Sequence, residues 1–253
     1  MNNKKQSGFT LVEIAIVLVI IGLLLGGILK GQELINSARV RNMADQNSGI
    51  QAAYFGFIDR YRQVPGDWLS TNASQAIGVT VNLPTAVASI TGNGRIDNTT
   101  MEAAAVWEQL AKSQFLGGGF TPATADPGDE ATYVSAAVSP ANAFNGALIL
   151  TRNAGYAGTA SSRLNLHMGR NVPVSIAREL DVKVDDGLPN TGVLRMTDLA
   201  GSGPFESAEF APDLACTTVA AATGPGNTDG NEAATDIYDI FDDVQDCPQV
   251  FIY

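Results

Sequence analysis

One long apolar segment near the N-terminus constrains the fold of this chain more than any other feature. Residues 9–29 read FTLVEIAIVLVIIGLLLGGIL, and only Thr10 and Glu13 interrupt the apolar run. As an α-helix this segment would extend roughly 31 Å, which matches the hydrocarbon core of a bilayer. Lys4 and Lys5 precede it, and such charges hold their flank on the cytoplasmic side. The sequence therefore predicts one membrane-spanning helix with a cytoplasmic N-terminus.

Three kinds of N-terminal segment carry such a run. A secretory signal peptide has a shorter apolar core that ends at a small-residue cleavage site, and residues 26–33, GGILKGQE, contain no such site. A plain membrane anchor explains the length and the charge but leaves Glu13 without a purpose, because a carboxylate in a membrane helix is costly. The third kind is cut on the cytoplasmic side of the run, between Gly8 and Phe9, and retains Glu13.

The residues at this boundary resemble the processing site of type IV prepilins. Residues 8–14 read GFTLVEI, so that a basic leader ends in glycine, an aromatic residue follows, and a glutamate lies four residues further on. The resemblance implies that a prepilin peptidase cuts between Gly8 and Phe9 and methylates the new amino group of Phe9. It also implies that the apolar helix packs against those of other copies or other pilins.

Glu13 lies four residues after the new amine, roughly 6 Å of helical rise away. In a low dielectric a carboxylate and an amine attract each other strongly, although desolvation opposes the pairing. We predict that Glu13 pairs with the Phe9 amine of a neighbouring subunit and thereby drives assembly rather than insertion or folding.

The helix is predicted to continue beyond the apolar run as an amphipathic stripe. The apolar and aromatic residues of this stripe recur at spacings of three, four and seven: Val40, Met43, Ile50, Tyr54, Phe57 and Tyr61. Pro65 and Gly66 then end the helix. The arrangement looks like the spine helix of pilins. We expect an α+β fold, in which a long spine helix with a transmembrane first half packs on a small antiparallel sheet with a disulfide-closed C-terminal loop.

The chain divides into four predicted regions. Residues 1–8 are the prepilin leader, 9–29 the transmembrane and assembly helix, 30–64 the amphipathic half of the spine, and 65–253 a globular domain in the periplasm or outside the cell. Within that domain the sequence predicts an irregular linker over 65–98. A first helix is predicted from a capping box at Thr99 and Glu102 to the glycines at 117–119, and a second over 173–184, followed by a turn at 185–187. Strands are predicted at 147–150, 192–196 and 250–253. Trp107 is expected to anchor the core.

The two cysteines, Cys216 and Cys247, fall in the region predicted to lie outside the cytoplasm, where disulfides persist. A bridge would close a loop of about 30 residues and stabilise the fold by roughly 3–4 kcal/mol. The pair also resembles the disulfide-closed C-terminal loop of pilins. Two free thiols are the alternative.

Calcium is the one cofactor that the sequence suggests. Asp229, Asn231, Glu232 and Asp236 offer the oxygen ligands that this hard cation takes, and some secretion pseudopilins that the chain resembles hold calcium in a C-terminal loop. The spacing is not that of an EF-hand, and a solvated acidic loop is the alternative. The turn over residues 92–97, GNGRID, is a second candidate.

Enzymatic and nucleic-acid functions are not expected. The formal net charge of −11 repels phosphate backbones, and no phosphate-binding loop, nucleophile elbow or zinc spacing accompanies the single histidine, His167. The favoured function is a structural one, as a pilin or minor pilin of a type IV pilus. The alternative is a pseudopilin of the type II secretion system, and a third class is a membrane-tethered periplasmic enzyme or binding domain.

A pilin or pseudopilin function also predicts the partners and the location of the chain. The expected partners are copies of the chain or other pilins, the prepilin peptidase and an inner-membrane assembly platform. The chain would lie in the bacterial inner membrane before assembly, and afterwards in a periplasmic pseudopilus or a cell-surface pilus.

Overall fold

The computed structural model describes residues 11–84, 92–120, 127–128, 130–135, 138–159, 161–197, 216–219, 236–241 and 244–253. The chain divides into two compact units, Met1–Val40 and Arg41–Tyr253, and each is described by itself. One helix, α1 (Leu11–Tyr61), contributes residues to both units.

All other described helices and strands belong to the second unit. The helices are α2 (Ser70–Ile77), α3 (Thr100–Lys112), α4 (Glu130–Ser135) and α5 (Val174–Val184). The strands are β1 (Ile149–Asn153), β2 (Arg163–His167), β3 (Leu194–Met196), β4 (Thr217–Val219), β5 (Asp236–Tyr238) and β6 (Gln249–Ile252). The α+β class and the long N-terminal helix agree with the sequence analysis.

A four-stranded antiparallel sheet in the order β1-β2-β6-β3 forms the centre of this unit, and β4 and β5 form a separate two-stranded sheet. The last strand of the chain lies inside the larger sheet, with Phe251 opposite Leu166 on one side and Leu194 on the other. All four residues of β6 are buried. The strand predicted over residues 250–253 is therefore confirmed, with both bounds shifted by one residue, and it lies between β2 and β3.

The other two predicted strands also have shifted bounds. The strand expected at 147–150 begins at Ile149 and runs on to Asn153, because Ala147 pairs only with Ala141 in an isolated bridge. The strand expected at 192–196 begins at Leu194, since Gly192 adopts a left-handed φ of 74° that belongs to the preceding turn. The helix expected over 173–184 is α5, with Pro173 as its N-cap.

The region predicted as an irregular linker contains a helix, α2, which corrects the sequence analysis. This helix buries only Ala73, so no apolar stripe signalled it. Its C-cap is Gly78, at φ 84°. Ser74 holds the chain beyond the helix, because its Oγ accepts a hydrogen bond from the Val81 amide at 2.9 Å.

Helix α3 begins as predicted and ends earlier than predicted. Thr99 Oγ1 accepts from the Glu102 amide at 3.3 Å. In a capping box the Glu102 side chain would accept from the Thr99 amide. Here Glu102 Oε2 accepts from the Asp97 amide instead. The helix ends at Lys112, and Gln114 turns the chain with φ 65° before the three glycines. Trp107 is fully buried, as expected, and its Nε1 donates to Tyr133 Oη at 2.7 Å.

The second half of α1 packs into the second unit along the predicted stripe. Met43, Ile50, Tyr54 and Phe57 are buried and Tyr61 is half-buried. Phe57 and Tyr61 form an aromatic seam with two residues from other segments, Trp68 and Phe115, at ring-centroid distances of 4.8 to 6.5 Å.

Contacts with the sheet add to this seam. Burial raises the pKa of Tyr54 to about 12, against the positive charge of Arg152 on β1, and Tyr253 Oη, directly after β6, donates to Asn47 Oδ1 at 2.5 Å. Residues at both ends of this half of the helix are thus held by the same domain.

Candidate functional site

The first described residues of α1, from 11 to 30, form an apolar helical surface that is not buried against other described residues. Every residue from 11 to 30 is exposed. The most apolar 18-residue window of α1 has a mean hydropathy of 2.8 and none of it is buried, so this helix is long and apolar enough to cross a membrane. An exposed apolar surface of this size marks contact with lipid or with other protein chains. The segment can therefore serve as a membrane anchor and as an assembly surface.

Glu13 places a carboxylate on this apolar surface. It lies in the first turn of the described part of α1, between the exposed side chains of Val12 and Ile14. The predicted cleavage site, Gly8 and Phe9, lies outside the described residues. The predicted pairing of Glu13 with a neighbour's Phe9 amine involves a second subunit and stays a prediction.

The family model for the prokaryotic N-terminal methylation motif matches residues 3–29. This motif is the signature of type IV prepilin-like proteins, and the chain therefore has the N-terminus of that class, as the sequence analysis expected. The motif implies processing by a prepilin peptidase and assembly with other pilins, and together with the apolar helix it fits insertion into an inner membrane. No curated protein and no solved structure matches the chain.

The predicted disulfide between Cys216 and Cys247 is present, with a Cα–Cα distance of 5.7 Å. Both cysteines are buried. Cys216 directly precedes β4, and the Cys247 amide donates to the Val172 carbonyl at 2.8 Å, just before β6. The bridge therefore ties the two-stranded sheet to the segment that leads into the larger sheet.

The candidate calcium ligands in the C-terminal loop lie almost entirely outside the described residues. This holds for Asp229, Asn231 and Glu232, while Asp236 is the first residue of β5. The calcium prediction for this loop therefore stays a prediction.

A cluster of three carboxylates, which sequence reasoning did not assemble, lies at the end of α5. One oxygen from each of Asp181, Asp185 and Asp186 lies within 4.8 Å of the others. Buried Asp181 accepts from Tyr238 Oη at 2.7 Å and from the Gly187 amide at 3.2 Å. Burial raises the pKa of Asp181 to about 7, and the charges of Asp186 and Asp185 add to that rise.

The other two carboxylates of this cluster brace the turn that the sequence predicts at 185–187. Asp185 Oδ2 accepts from the amides of Val193 and Leu194. Asp186 accepts from the Leu188 amide at 2.9 Å and from Thr191 Oγ1 at 2.5 Å. Their oxygens thus hold the chain between α5 and β3, which is a structural role.

A second group of carboxylates surrounds the turn of residues 92–97. Asp67 and Glu102 are both buried, at 7% and 0% exposure. Burial raises the pKa of Glu102 to about 7, the Asp97 amide opposes that rise, and the charge of Asp67 adds to it. Burial also raises the pKa of Asp67, against the amides of Gly94, Gly92 and Arg95.

Sequence reasoning identified the turn and the cap of α3 but not this pairing. The spacing of Thr99 and Glu102 predicts a capping box, and no sequence signal marks Asp67 as a site residue. The residues lie in three separate segments, and no periodicity or spacing relates them. The only local signal is the glycine-rich turn itself, whose Gly92 and Gly94 both have positive φ.

Proposed function

We propose that this chain is a structural subunit, a pilin or minor pilin, of a type IV pilus or a pilus-like filament. The observation that carries the proposal is the exposed apolar helix with Glu13 near its start, within the matched methylation motif. A helix without a core of its own needs lipid before assembly and neighbouring helices afterwards. In a filament subunit the apolar helix is surrounded by lipid before assembly and by the helices of other subunits after assembly.

Glu13 has a specific part in this proposal. A carboxylate in an apolar environment is costly unless an opposite charge compensates it. After cleavage, each subunit carries a positive amine on Phe9, and an incoming subunit stepped along the filament can offer that amine to its neighbour's Glu13. The pair would register each subunit against the previous one.

The second unit would form the outer surface of the filament. Its buried sheet, its aromatic seam and its disulfide suit a stable folded domain outside the cytoplasm. We propose a structural rather than an enzymatic role for it. A pseudopilin of the type II secretion system would use the same parts, and a phenotype distinguishes the two roles: deletion of the gene should abolish piliation in the first case and protein secretion in the second.

The processing step is tested by mass spectrometry of the mature protein from the native host. The expected first residue is Phe9, with one methyl group on its amine. As a control, a host that lacks the prepilin peptidase should yield chains that begin upstream of Phe9. Recovery of the leader in assembled filaments would contradict the proposal.

The assembly step is tested with Glu13→Ala, expressed beside the wild-type chain. The variant should be inserted, processed and folded normally, because the substitution makes the helix more apolar. Its share of sheared filaments should fall by about tenfold or more, because loss of one partner from a buried charge pair costs several kcal/mol.

Glu33→Ala is the matched control for this experiment. Glu33 is a carboxylate on the same helix, exposed and paired with Lys30 at 2.6 Å, and its removal should leave incorporation near the wild-type level. Equal incorporation of the Glu13 and Glu33 variants would refute the role of Glu13.

A further inference from the structure

Two buried carboxylates are held on one short turn in the second unit. Asp67 Oδ2 accepts from the Gly94 amide and Glu102 Oε2 accepts from the Asp97 amide, each at 2.6 Å. Asp67 belongs to the loop after α1, and Glu102 belongs to the first turn of α3. The turn of residues 92–97 thus brings together acidic side chains from two separate segments.

Each of these carboxylates has a second oxygen that is buried and lacks a hydrogen-bond partner among the described residues. The two atoms are Asp67 Oδ1 and Glu102 Oε1. A buried polar atom without a partner is unfavourable, and a buried charge is more so. Each of the two oxygens therefore needs a partner that the described residues do not supply.

No cationic side chain meets that need in the part of the chain that the structure describes. Neither Asp67 nor Glu102 forms a salt bridge there. The basic residue of the turn, Arg95, is more than half exposed, and its Nε donates to Asp97 Oδ1 at 2.7 Å. Arg95 is thus paired with Asp97, and none of the ion pairs among the described residues includes Asp67 or Glu102.

The backbone holds the loop that carries Asp67 against the start of α3. Gly66 precedes Asp67 with φ 96°, and a Cβ at this position would lie 2.8 Å from the Glu102 carbonyl oxygen and 2.6 Å from Val106 Cγ2. Only glycine lets the loop pass α3 at this distance without strain. Gln109 fastens the same loop, because its Oε1 accepts from the Gly66 amide at 3.0 Å.

We propose that Asp67 Oδ1 and Glu102 Oε1 are ligands of a calcium ion bound against the turn of residues 92–97. The donors assigned to the ion are oxygens, which hard cations prefer, and neither histidine nor cysteine occurs in residues 65–102. Main-chain oxygens and water would complete the shell. The ion would join the loop after α1 to the start of α3, so that calcium would stabilise the folded domain. The site is independent of the proposed role in a filament.

The main experiment measures thermal unfolding of the full-length chain in detergent, with calcium and with a chelator. With two carboxylate ligands we expect a dissociation constant in the range of extracellular modules, about 10⁻⁴ to 10⁻³ M. At about ten times that concentration, the Tm should rise by about 3–6 °C relative to the chelated protein. Magnesium should produce a smaller rise, because it demands a tighter octahedral shell and dehydrates reluctantly.

Three isosteric variants locate the ion, each compared with its own chelated state. Asp67→Asn and Glu102→Gln should lose most of the calcium-dependent rise. Asp181→Asn, which alters the carboxylate cluster at the end of α5, is the matched control and should keep the full rise. An equal rise in all three variants would place the ion elsewhere and overturn the proposal, as would no rise in the wild-type chain. A magnesium response as large as that to calcium would overturn the assignment to calcium.

A second measurement does not depend on how well the variants fold. Terbium replaces calcium at oxygen sites and emits when a nearby tryptophan is excited. The two tryptophans of the chain are Trp68, directly after Asp67, and Trp107, on α3. The wild-type chain should sensitise terbium, and calcium should displace that emission. No sensitised emission, or emission that calcium leaves unchanged, would contradict the site.

Discussion

The two halves of α1 belong to one helix and differ in what surrounds them. From residue 11 to residue 30 every side chain is exposed, although most are apolar. From residue 41 onward the helix buries a stripe that includes Met43, Ile50 and Phe57. Both halves are apolar enough to drive association, but among the described residues of the helix the buried apolar stripe lies in the second half.

This difference separates the two tasks of the molecule. A residue in the first half should influence insertion and assembly, since its partners are lipid or other subunits. A residue in the second half should influence the stability of the folded domain. Substitutions that are matched along one helix can therefore test the division directly.

The largest effect is expected from Phe57→Ala. Phe57 is fully buried in the aromatic seam with Tyr61, Trp68 and Phe115, and removal of a buried phenyl ring costs about 3–5 kcal/mol. Urea unfolding of the purified chain, followed by tryptophan fluorescence, measures this loss.

Two control variants complete that test. Phe55→Ala changes the same residue type on the same helix, at a position that is 53% exposed, and Leu18→Ala truncates an exposed apolar residue in the first half. Both should change the free energy of unfolding by less than about 1 kcal/mol. A loss for Leu18→Ala as large as that for Phe57→Ala would break the division between the halves.

The next effect concerns the disulfide, which has no counterpart in the first half of α1. The double variant Cys216→Ser/Cys247→Ser should unfold with a free energy lower by about 3–4 kcal/mol, because the bridge limits the entropy of the unfolded loop. The reduced wild-type chain is the control and should lose a similar amount. Peptide mapping under non-reducing conditions should recover the two cysteines joined, and free thiols in exported protein would contradict the pairing.

A smaller effect is expected where the loop after α1 passes α3. Gly66→Ala should destabilise the fold by about 2–3 kcal/mol, because it adds both backbone strain at a left-handed φ and a clash with Glu102. Gly78→Ala is the matched control, since Gly78 also has a left-handed φ of 84° but open space around a Cβ. It should show only the strain, about 1 kcal/mol. Equal losses in denaturant unfolding would show that the close approach at Gly66 contributes nothing.

The smallest effect, at most about 1.4 kcal/mol for each pH unit, is a pH dependence of the second unit. Asp181 faces Tyr238 Oη and the charges of Asp185 and Asp186, and its pKa in the folded chain is raised from 3.8 to about 7. The folded state therefore holds this proton more tightly than the unfolded state, so the free energy of unfolding should fall as pH rises from about 4 to about 7. Asp181→Asn should reduce the slope of that part of the curve in chelator, and the slope that remains is assigned to groups such as Glu102, whose pKa is raised in the same range. The same slope in both proteins would show that Asp181 stays ionised.

Much of this architecture was predictable from the sequence because its signals are local or periodic. The length of the apolar run of residues 9–29 predicts a helix that can span a membrane. The period of the stripe from Met43 to Tyr61 predicts a buried helix face. Thr99 indicates the start of α3, because a cap acts within one turn. The disulfide was predictable because two cysteines can pair in only one way.

What only the tertiary structure decided depends on contacts between distant segments. Helix α2 buries a single residue and carries no periodic signal. The place of β6 between β2 and β3 follows from long-range pairing, in which Phe251 meets Leu166 and Leu194. The approach of Asp67 to Glu102 required the loop after α1 to fold against α3. Helical periodicity and helix caps depend on residues that are close in sequence, so they can be predicted from it. Strand order and the placement of Asp67 and Glu102 on one turn depend on distant segments, so they arise only when the whole domain buries its core.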